Sequence, residues 1–246
     1  MAPIEEIAAG LARSATAAAG VPVRSAILHG SVATGDFLPG RSDIDLLLVV
    51  GGPLPDTAAG ALERLVRNTD PGPASGIDLH VVTAAVASAP SPAPPLELHV
   101  GRYDGSSVGV EVERRVAAAP DLPAELSMAR ADGRAVLGAA PADVLGPVPA
   151  AWVRDRGRHW LREWQSRTGD TEDAAHMVLT ACRIWLFAVE GRHSAKTPAA
   201  RWALERDPSL TAIPQALHQY TTDPAAPVSE AGIARVLETV LRDDAV

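Results

Sequence analysis

The segment that most constrains the fold is an apolar run, Leu46 to Val50, that follows directly on Ser42-Asp43-Ile44-Asp45. An apolar run without polar alternation is typical of a β-strand buried on both faces. Alternate residues of a strand point to the same side, so we expect Asp43 and Asp45 to project together while Ile44 enters the core. Two neighbouring carboxylates repel each other unless a cation lies between them. The segment therefore predicts a buried strand that begins with a cation-binding pair.

A second segment, Leu28-His29-Gly30-Ser31, points to the same chemistry. The residues from Ser25 to His29 are predicted to form a short strand that leads into a turn at Gly30. Glycine lets the backbone come close to a ligand, and Ser31 offers a hydroxyl and an N–H to a phosphate. Carboxylates at this spacing suit Mg²⁺, which favours carboxylates together with phosphate oxygens. The two segments predict a site where Mg²⁺ holds a nucleoside triphosphate; a plain turn at a strand start is the alternative.

A third carboxylate, Asp78, lies in the apolar segment from Ile77 to Val82. On a strand Asp78 and His80 share one face, and an acid in such a strand is costly unless it is paired or bound to metal. Transfer to a hydroxyl is faster when a positioned base takes the proton. We therefore expect Asp78 to be the catalytic base and a metal ligand; the alternative is an edge strand with a solvated polar face. The competing acids, in settings more typical of a surface, are Asp70, Glu97, Asp104, Glu111 and Glu113.

Composition limits the partners. The formal net charge is −8, with 17 acidic and 10 basic residues up to Ala150 and 13 and 12 beyond it. An acidic surface argues against nucleic acid, which binds basic stripes, and favours a cationic substrate. The single cysteine, Cys182, excludes an internal disulfide. The N-terminus lacks a signal-peptide pattern and no apolar run reaches membrane-spanning length, so we expect a cytoplasmic protein without a membrane partner. We also expect a monomer.

The order of patterns predicts an α+β chain of two domains, 1–148 and 149–246, with the boundary in the proline-rich segment 141–149. The first is expected to hold the predicted strands with flanking helices, and the second only helices. Predicted strands are 25–29, 46–50, 77–83 and 96–100; predicted helices are 3–19, 56–68, most of 109–139, 150–167, 171–190, 196–206, 209–221 and 228–243.

The predicted helix near 172–190 is apolar apart from one polar stripe formed by Asp173, His176, Thr180 and Arg183. Their spacings of three, four and three residues lie on one helical face. We expect this stripe to line a cleft, the alternative being an internal salt-bridge row or an exposed face. Lys196 is the only lysine among 22 basic residues, and its compact charge suits phosphate, unless it is a chance surface residue.

Two levels of family resemblance follow from these motifs. His29-Gly30-Ser31 followed by Ser42-Asp43-Ile44-Asp45-Leu46 resembles the signature of the DNA polymerase β-like nucleotidyltransferase superfamily. Three further segments, 96–103, 177–185 and 195–206, resemble the bacterial streptomycin/spectinomycin adenylyltransferases, and the motifs occur in the order of that family.

The resemblance implies an N-terminal nucleotidyltransferase domain, with a small mixed β-sheet flanked by helices, and a C-terminal α-helical bundle. It also implies that ATP and substrate bind between them. It assigns Asp43 and Asp45 to Mg²⁺ and Asp78 to the base. We expect further metal binding by Asp78, ATP binding by Gly30, Ser31, Ser42, Arg183 and Lys196, and substrate binding by Tyr103, Asp173 and His176.

Two departures from the family pattern matter. Aspartate stands at position 78 where glutamate is usual, so the base geometry must shift or this carboxylate mainly serves the metal. Tyr103 is the nearest residue to a tryptophan that streptomycin-accepting members carry, which favours spectinomycin over streptomycin, although tyrosine can still stack on a sugar ring.

The expected function is Mg²⁺-dependent transfer of AMP from ATP to a hydroxyl of an aminoglycoside or aminocyclitol antibiotic, spectinomycin or streptomycin, with release of pyrophosphate. Two alternatives stay open at this point. One is AMP transfer to a protein or another small metabolite, and the other is a non-catalytic nucleotide sensor.

Overall fold

The computed structural model describes residues 3–103, 109–170, 173–243 and 245–246. The chain divides into two compact units, Met1–Val148 and Pro149–Val246. The first contains α1 (Ile4–Ala18), β1 (Val23–His29), α2 (Gly30–Thr34), β2 (Ile44–Val50), α3 (Asp56–Asn68), β3 (Gly76–Thr83), α4 (Ala84–Ser88), β4 (Leu96–Tyr103), β5 (Val110–Val116), α5 (Leu122–Asp132), β6 (Arg134–Gly138) and α6 (Pro141–Val144). The second contains α7 (Ala150–Trp164), α8 (Ala174–Glu190), α9 (Lys196–Arg206), α10 (Ala212–Thr221) and α11 (Glu230–Arg242).

The first unit is built on a six-stranded sheet in the order β5-β4-β3-β2-β1-β6. Strands β2 and β3 pair in parallel, whereas the pairs β1–β2, β1–β6, β3–β4 and β4–β5 are antiparallel. The prediction of an α+β chain with a mixed sheet followed by a helical region is confirmed. Among the described residues, no helix is both long enough and apolar enough to cross a membrane.

The prediction that residues 109–139 are mainly helical is wrong. This stretch forms β5, then α5, and then β6, so helix occupies only its middle. In β5, Val110 and Val112 alternate with the acids Glu111 and Glu113, and the strand pairs antiparallel with β4. Alternation of this kind indicates a strand with one solvated face. β6 pairs with β1 at the opposite edge of the sheet.

Smaller differences concern the ends of elements. Where a turn is predicted, Gly30 begins the short helix α2 and has φ +61°. Asp43 precedes β2, which begins at Ile44, so only Asp45 of the aspartate pair belongs to the strand. The observed bounds of α3 and α9 equal the predicted ones. The predicted start of α8 at residue 171 lies outside the described residues.

The two faces of the sheet are covered unequally. On one face, helices α1 and α3 bury side chains such as Leu11, Leu62 and Val66 against the sheet. On the other face, α5 packs Leu122 and Leu126 over a smaller cluster of strand residues. Its strand members are Ile27, Leu47, Val49, Val82 and Leu96. On this second face the apolar cluster includes residues from the later parts of β2 and β3. It does not include the residues at the beginning of the same two strands.

The second unit is organised around α8, most of whose residues are buried. Helices α7, α9, α10 and α11 all contact it. Trp185 of α8 lies edge-on to Trp202 of α9, with ring centroids 5.4 Å apart, and its indole N–H donates to Asp243. An apolar helix that is buried almost all round is the expected centre of such a bundle.

Candidate active site

The polar positions of the first unit converge on one face of the sheet. Register places Asp45 of β2 opposite Asp78 of β3 on one side and opposite His29 of β1 on the other. His80 of β3 lies opposite His99 of β4. Directly opposed residues share a face, as do residues two apart on one strand. These five side chains therefore line the same face, next to the apolar cluster beneath α5.

Gly30 makes room for the Asp45 carboxylate. Its φ of +61° is one that residues with side chains rarely adopt. A Cβ added at this position would overlap Oδ2 and Cγ of Asp45. Gly30, from the His-Gly-Ser motif, therefore lets the backbone lie close to the carboxylate of Asp45, from the Ser-Asp-Ile-Asp motif.

Asp43 is held by the loop before β3. Its Oδ1 accepts a hydrogen bond of 2.7 Å from the Ser75 hydroxyl. Gly76, the first residue of β3, lies so near that an added Cβ would come within 2.9 Å of the same oxygen. Asp43 is therefore fixed beside the start of β3, two residues from Asp78.

Asp78 is in contact with three side chains of the site. Its Oδ1 lies 2.9 Å from Nε2 of His99 and 3.5 Å from Nδ1 of His80, and its Oδ2 accepts a 3.3 Å hydrogen bond from the Tyr103 hydroxyl. Burial acts to raise the pKa of Asp78, but the His80 charge and the His99 hydrogen bond outweigh burial and lower it. Asp78 is therefore held as a carboxylate anion.

The two histidines beside Asp78 are stacked, with ring centroids 4.6 Å apart. Nδ1 of His99 faces Oε2 of Glu113 on β5 at 3.3 Å. Burial opposes protonation of His99, but the hydrogen bond to Asp78 and the charges of Asp78 and Glu113 prevail and raise its pKa. Burial lowers the pKa of His80 despite the nearby Asp78 charge. The two rings therefore differ in their tendency to carry a proton.

Tyr103 ends β4 and turns its ring back over Gly101 of the same strand. A Cβ at Gly101 would lie 2.6 Å from the Tyr103 hydroxyl oxygen and 2.7 Å from its Cε2. Burial and the negative charges of Asp78 and Asp43 raise the pKa of the Tyr103 hydroxyl. Tyr103 is thus a neutral donor next to the carboxylates, in the immediate surroundings of Asp78.

The two predicted serines have local structural contacts. The Ser42 hydroxyl accepts the Leu38 N–H at 3.1 Å, and its carbonyl accepts the Ser75 N–H. The Ser31 carbonyl accepts the N–H groups of Gly35 and Asp36. These contacts shape the two loops around the carboxylates, and ATP binding by Ser31 and Ser42 stays a prediction.

Within the second unit, the predicted polar stripe makes separate contacts. Asp173 is exposed and forms an ion pair of 2.8 Å with Arg167. The exposed His176 lies edge-on to Trp164, with ring centroids 5.7 Å apart. Arg183 is half-buried, and its Nε donates to the Ser194 carbonyl at 3.0 Å. The stripe is therefore not one continuous salt-bridge row among the described contacts.

Lys196 begins α9, and its ammonium lies 4.8 Å from the ring centroid of Tyr220. A cation over an aromatic face is held in place while its charge remains exposed to other groups. The roles of Lys196 and Arg183 toward ATP, and of Asp173 and His176 toward substrate, stay predictions.

Three residues that shape the site were not assigned a role from the sequence: His99, Gly101 and Ser75. The sequence does show His80 on the face of Asp78, but it does not show which residue of β4 lies opposite. Glu113 was considered only as a surface acid, whereas the structure places its carboxylate behind His99. Asp104, another competing acid, lies outside the described residues.

Comparisons with known proteins identify the family of this chain. Residues 16–89 match the family model for a nucleotidyltransferase domain, and residues 143–241 match the model for an aminoglycoside adenylyltransferase C-terminal domain. The chain is 30% identical over 187 residues to an aminoglycoside (3'')(9) adenylyltransferase of Klebsiella pneumoniae, covering 74% of this chain and 71% of the relative. It is 29% identical over 195 residues to that of Rhizobium radiobacter, covering 77% and 72%.

The fold is also similar to a solved structure, the spectinomycin adenyltransferase AAD(9) from Enterococcus faecialis with ATP and spectinomycin. The TM-score is 0.72 at 19% sequence identity, and the match covers 97% of this chain and 96% of the other. At this identity the likeness establishes the shared fold across both units.

Proposed function

The chain belongs to the aminoglycoside (3'')(9) adenylyltransferase family and is a nucleotidyltransferase, and on that premise we propose that it transfers AMP from ATP to a hydroxyl of a cationic aminoglycoside or aminocyclitol, releasing pyrophosphate. Spectinomycin is the favoured acceptor. The relative with the shared fold is named for spectinomycin. Tyr103 is only the nearest residue to the tryptophan that streptomycin-accepting members of the family carry.

The observation that carries the proposal is the placement of Asp43, just before β2, and of Asp45 and Asp78, on adjacent strands, near the same end of the sheet. Asp45 and Asp78 are register partners, and Asp43 is tied to the start of β3 by Ser75. A side chain at Gly30 would overlap the Asp45 carboxylate, so the glycine lets this carboxylate keep its position, which supports the proposal. Carboxylate oxygens in such a group fit Mg²⁺, so Asp43, Asp45 and Asp78 would hold it.

When bound, Mg²⁺ would offset the negative charge of the triphosphate and of the departing pyrophosphate. The chain's own residues do the positioning. Asp43 and Asp45 would hold the metal, and the backbone of Gly30 lies beside the Asp45 carboxylate. Electrostatic positioning of this kind accounts for most of the catalysis in phosphoryl and nucleotidyl transfer.

Asp78 is proposed mainly as a ligand and anchor for the acceptor rather than as a strong base. Its pKa is lowered by the histidines beside it, and a carboxylate of low basicity has little driving force to take a proton. Both of its oxygens already have a partner, His99 on one and Tyr103 on the other. The acceptor hydroxyl would therefore be oriented by Asp78, with Tyr103 lying alongside the bound sugar.

The remaining predicted residues belong to the second unit. We assign Arg183 and Lys196 to ATP, and Asp173 and His176 to the antibiotic, because these positions match the motifs of the family. The overall negative charge of −8 supports a cationic substrate, since an acidic protein attracts it at long range.

The deciding experiment measures pyrophosphate release from ATP and Mg²⁺ with spectinomycin, streptomycin and other aminoglycosides in turn. We expect release with spectinomycin and a mass gain of one AMP on the drug. Asp45→Ala should lose at least 100-fold in turnover while keeping its fold, because a metal carboxylate contributes several kcal/mol to the transition state. Asp132→Asn, an exposed acid at the end of α5, is the matched control and should retain full turnover.

Near-normal turnover in Asp45→Ala would overturn the metal assignment. The same assay separates the two alternatives. AMP found on a protein rather than on a drug would support transfer to a protein target. ATP binding without any pyrophosphate release would support a nucleotide sensor.

A further inference from the structure

Three side chains on the polar face of the sheet, Asp78, His80 and His99, each present one ligand atom, and these atoms all lie within 4.8 Å of one another. We propose that they form a binding site for a divalent transition-metal ion such as Zn²⁺, chemically distinct from the all-carboxylate Mg²⁺ site. The proposal shares Asp78 with the proposed active site but depends on two imidazoles that the adenylyl-transfer chemistry does not use.

The distances fit a first coordination sphere. Two ligand atoms, each about 2.0–2.1 Å from zinc and separated by a tetrahedral angle, stand about 3.3 Å apart. Oδ1 of Asp78 lies 2.9 Å from Nε2 of His99 and 3.5 Å from Nδ1 of His80, on either side of that value. The two imidazole nitrogens lie within 4.8 Å of each other, so rotation of the rings about Asp78 would bring all three atoms to bonding distance from one ion.

The backbone holds these side chains in place before any ion binds. His80 and His99 are directly opposed in the β3–β4 ladder, and Asp78 lies two residues before His80 on the same face. All three side chains are largely shielded, with relative exposures of 23% for Asp78, 15% for His80 and 10% for His99. Ligands that are ordered in advance lose little conformational entropy when the ion binds.

Glu113 lies behind His99, where a carboxylate can support a histidine ligand. Nε2 of His99 points to Asp78, and Nδ1 of the same ring faces Oε2 of Glu113 at 3.3 Å. A carboxylate on the far nitrogen of a ligating histidine fixes its tautomer and orientation and strengthens the metal bond. Nδ1 makes no hydrogen bond among the described residues, but a proton on Nδ1 is favoured by the nearby Glu113 carboxylate, and this leaves Nε2 to face an ion.

Ligand chemistry distinguishes this site from the Mg²⁺ site. Imidazole nitrogen suits zinc, copper, nickel and iron, whereas Mg²⁺ prefers oxygen ligands and retains its waters. Three protein ligands also leave a coordination position open to water or to a substrate oxygen. A consequence that rests on the proposed function is inhibition, since an ion held by the histidines withdraws Asp78 from its role toward the acceptor.

The test is a calorimetric titration of the full chain with Zn²⁺ in excess Mg²⁺, without ATP or drug. We expect one ion per chain, with affinity at least tenfold weaker in His80→Gln and in His99→Gln and tenfold weaker in Glu113→Gln. Glutamine retains a hydrogen-bonding group of similar length, so the sheet should persist, as checked by circular dichroism. His218→Ala, which removes an exposed histidine of α10, is the control and should bind like the parent.

Absence of one-to-one binding, or binding that neither histidine variant weakens, would overturn the proposal. Should a variant fail to fold, the visible absorption of Co²⁺ added to the parent chain decides: a strong tetrahedral spectrum supports the site, and a weak octahedral one refutes it. Because no nucleotide is present, loss of this site leaves the adenylyl-transfer proposal untouched. Failure of pyrophosphate release likewise leaves zinc binding unaffected.

Discussion

Asp45 and Asp78 lie directly opposite each other on the parallel strands β2 and β3. Parallel pairing aligns the same end of both strands, and each aspartate is the second or third residue of its own strand. One carboxylate is approached by the Gly30 backbone and the other by the His99 and Tyr103 side chains. The two aspartates therefore occupy equivalent positions in the sheet but have different neighbours. Separate predictions follow for Asp45 and for Asp78.

On the Asp45 side, Gly30→Ala should abolish adenylyl transfer. The new Cβ would overlap the Asp45 carboxylate, which must then move away from its position. The positive φ adds a destabilisation of about 1–2 kcal/mol. Steady-state kinetics together with thermal unfolding should show a large loss of kcat and a small fall in Tm.

Gly35→Ala is the matched control for that experiment. Gly35 follows α2 with φ +80°, and nothing lies within 4 Å of its added Cβ. It should show a similar fall in Tm without the loss of kcat. Equal losses of activity in both variants would attribute the effect to the backbone of the loop and not to Asp45.

On the Asp78 side, Gly101→Ala should reproduce the kinetics of Tyr103→Ala. An added Cβ meets the Tyr103 ring at 2.6–2.8 Å, so the ring must leave and its hydrogen bond to Asp78 is lost. Loss of a hydrogen bond to a charged group should lower kcat/KM for the antibiotic by about tenfold or more. The kinetic constants of each variant, measured at varied antibiotic concentration, provide the comparison.

The double variant gives the sharper result. If Gly101 acts only by admitting the Tyr103 ring, Gly101→Ala combined with Tyr103→Ala should be no worse than Tyr103→Ala alone. Additive losses would show a separate role for Gly101, such as direct backbone contact with a ligand. Tyr103→Phe, which keeps the ring, isolates the contribution of the hydroxyl.

Local patterns were sufficient to predict much of this fold. The apolar run after Asp45 and the alternation around Asp78 predict two strands. They do so because the spacing of apolar residues along a strand is a local property of the sequence. The bounds of α3 and α9 were predicted to the residue because an amphipathic stripe or a Thr-Pro start defines them locally. The second unit was likewise predicted to be helical, because its apolar residues recur at helical spacing over long segments.

Non-local pairing accounts for what was missed. β5 carries Glu111, Glu113, Arg114 and Arg115, and such a charged stretch is stabilised as a strand only by its pairing with β4. The position of His99 beside Asp78 depends on the β3–β4 register, which no single segment of the sequence encodes. The same reason explains why Glu113 was predicted to be a plain surface acid.

In the second unit, Cys182 should be inert to thiol reagents in the folded protein. It is fully buried in α8, and burial raises the pKa of its thiol to about 12. The reactive thiolate is therefore almost absent at neutral pH. Labelling with an aromatic disulfide should be negligible under native conditions and complete in denaturant.

The denaturant midpoint for labelling of Cys182 should coincide with loss of helical circular dichroism, since exposure of this thiol requires opening of the helices around α8. Cys182→Ser should give no labelling at all under either condition. Rapid stoichiometric reaction of the folded chain would contradict the buried position of the thiol.

A final prediction concerns His193, which packs against Phe187 with ring centroids 4.6 Å apart. Burial and the nearby charge of Arg183 lower its pKa to about 4, below its value of about 6.5 in an unfolded chain. Folding thus favours the neutral ring, and its contribution to stability is complete above pH 6.5 and is lost as the pH falls toward 4. We expect a loss of about 1–3 kcal/mol in the free energy of unfolding over this window.

Urea unfolding of the parent chain and of His193→Gln at several pH values measures that loss. Because other groups also titrate in acid, the difference between the two chains isolates His193. His193→Gln should be less stable than the parent near pH 7, since it loses the ring packing on Phe187, but the gap should narrow below pH 6. A gap that stays constant from pH 7 to pH 4 would mean that protonation of His193 is not opposed by the fold.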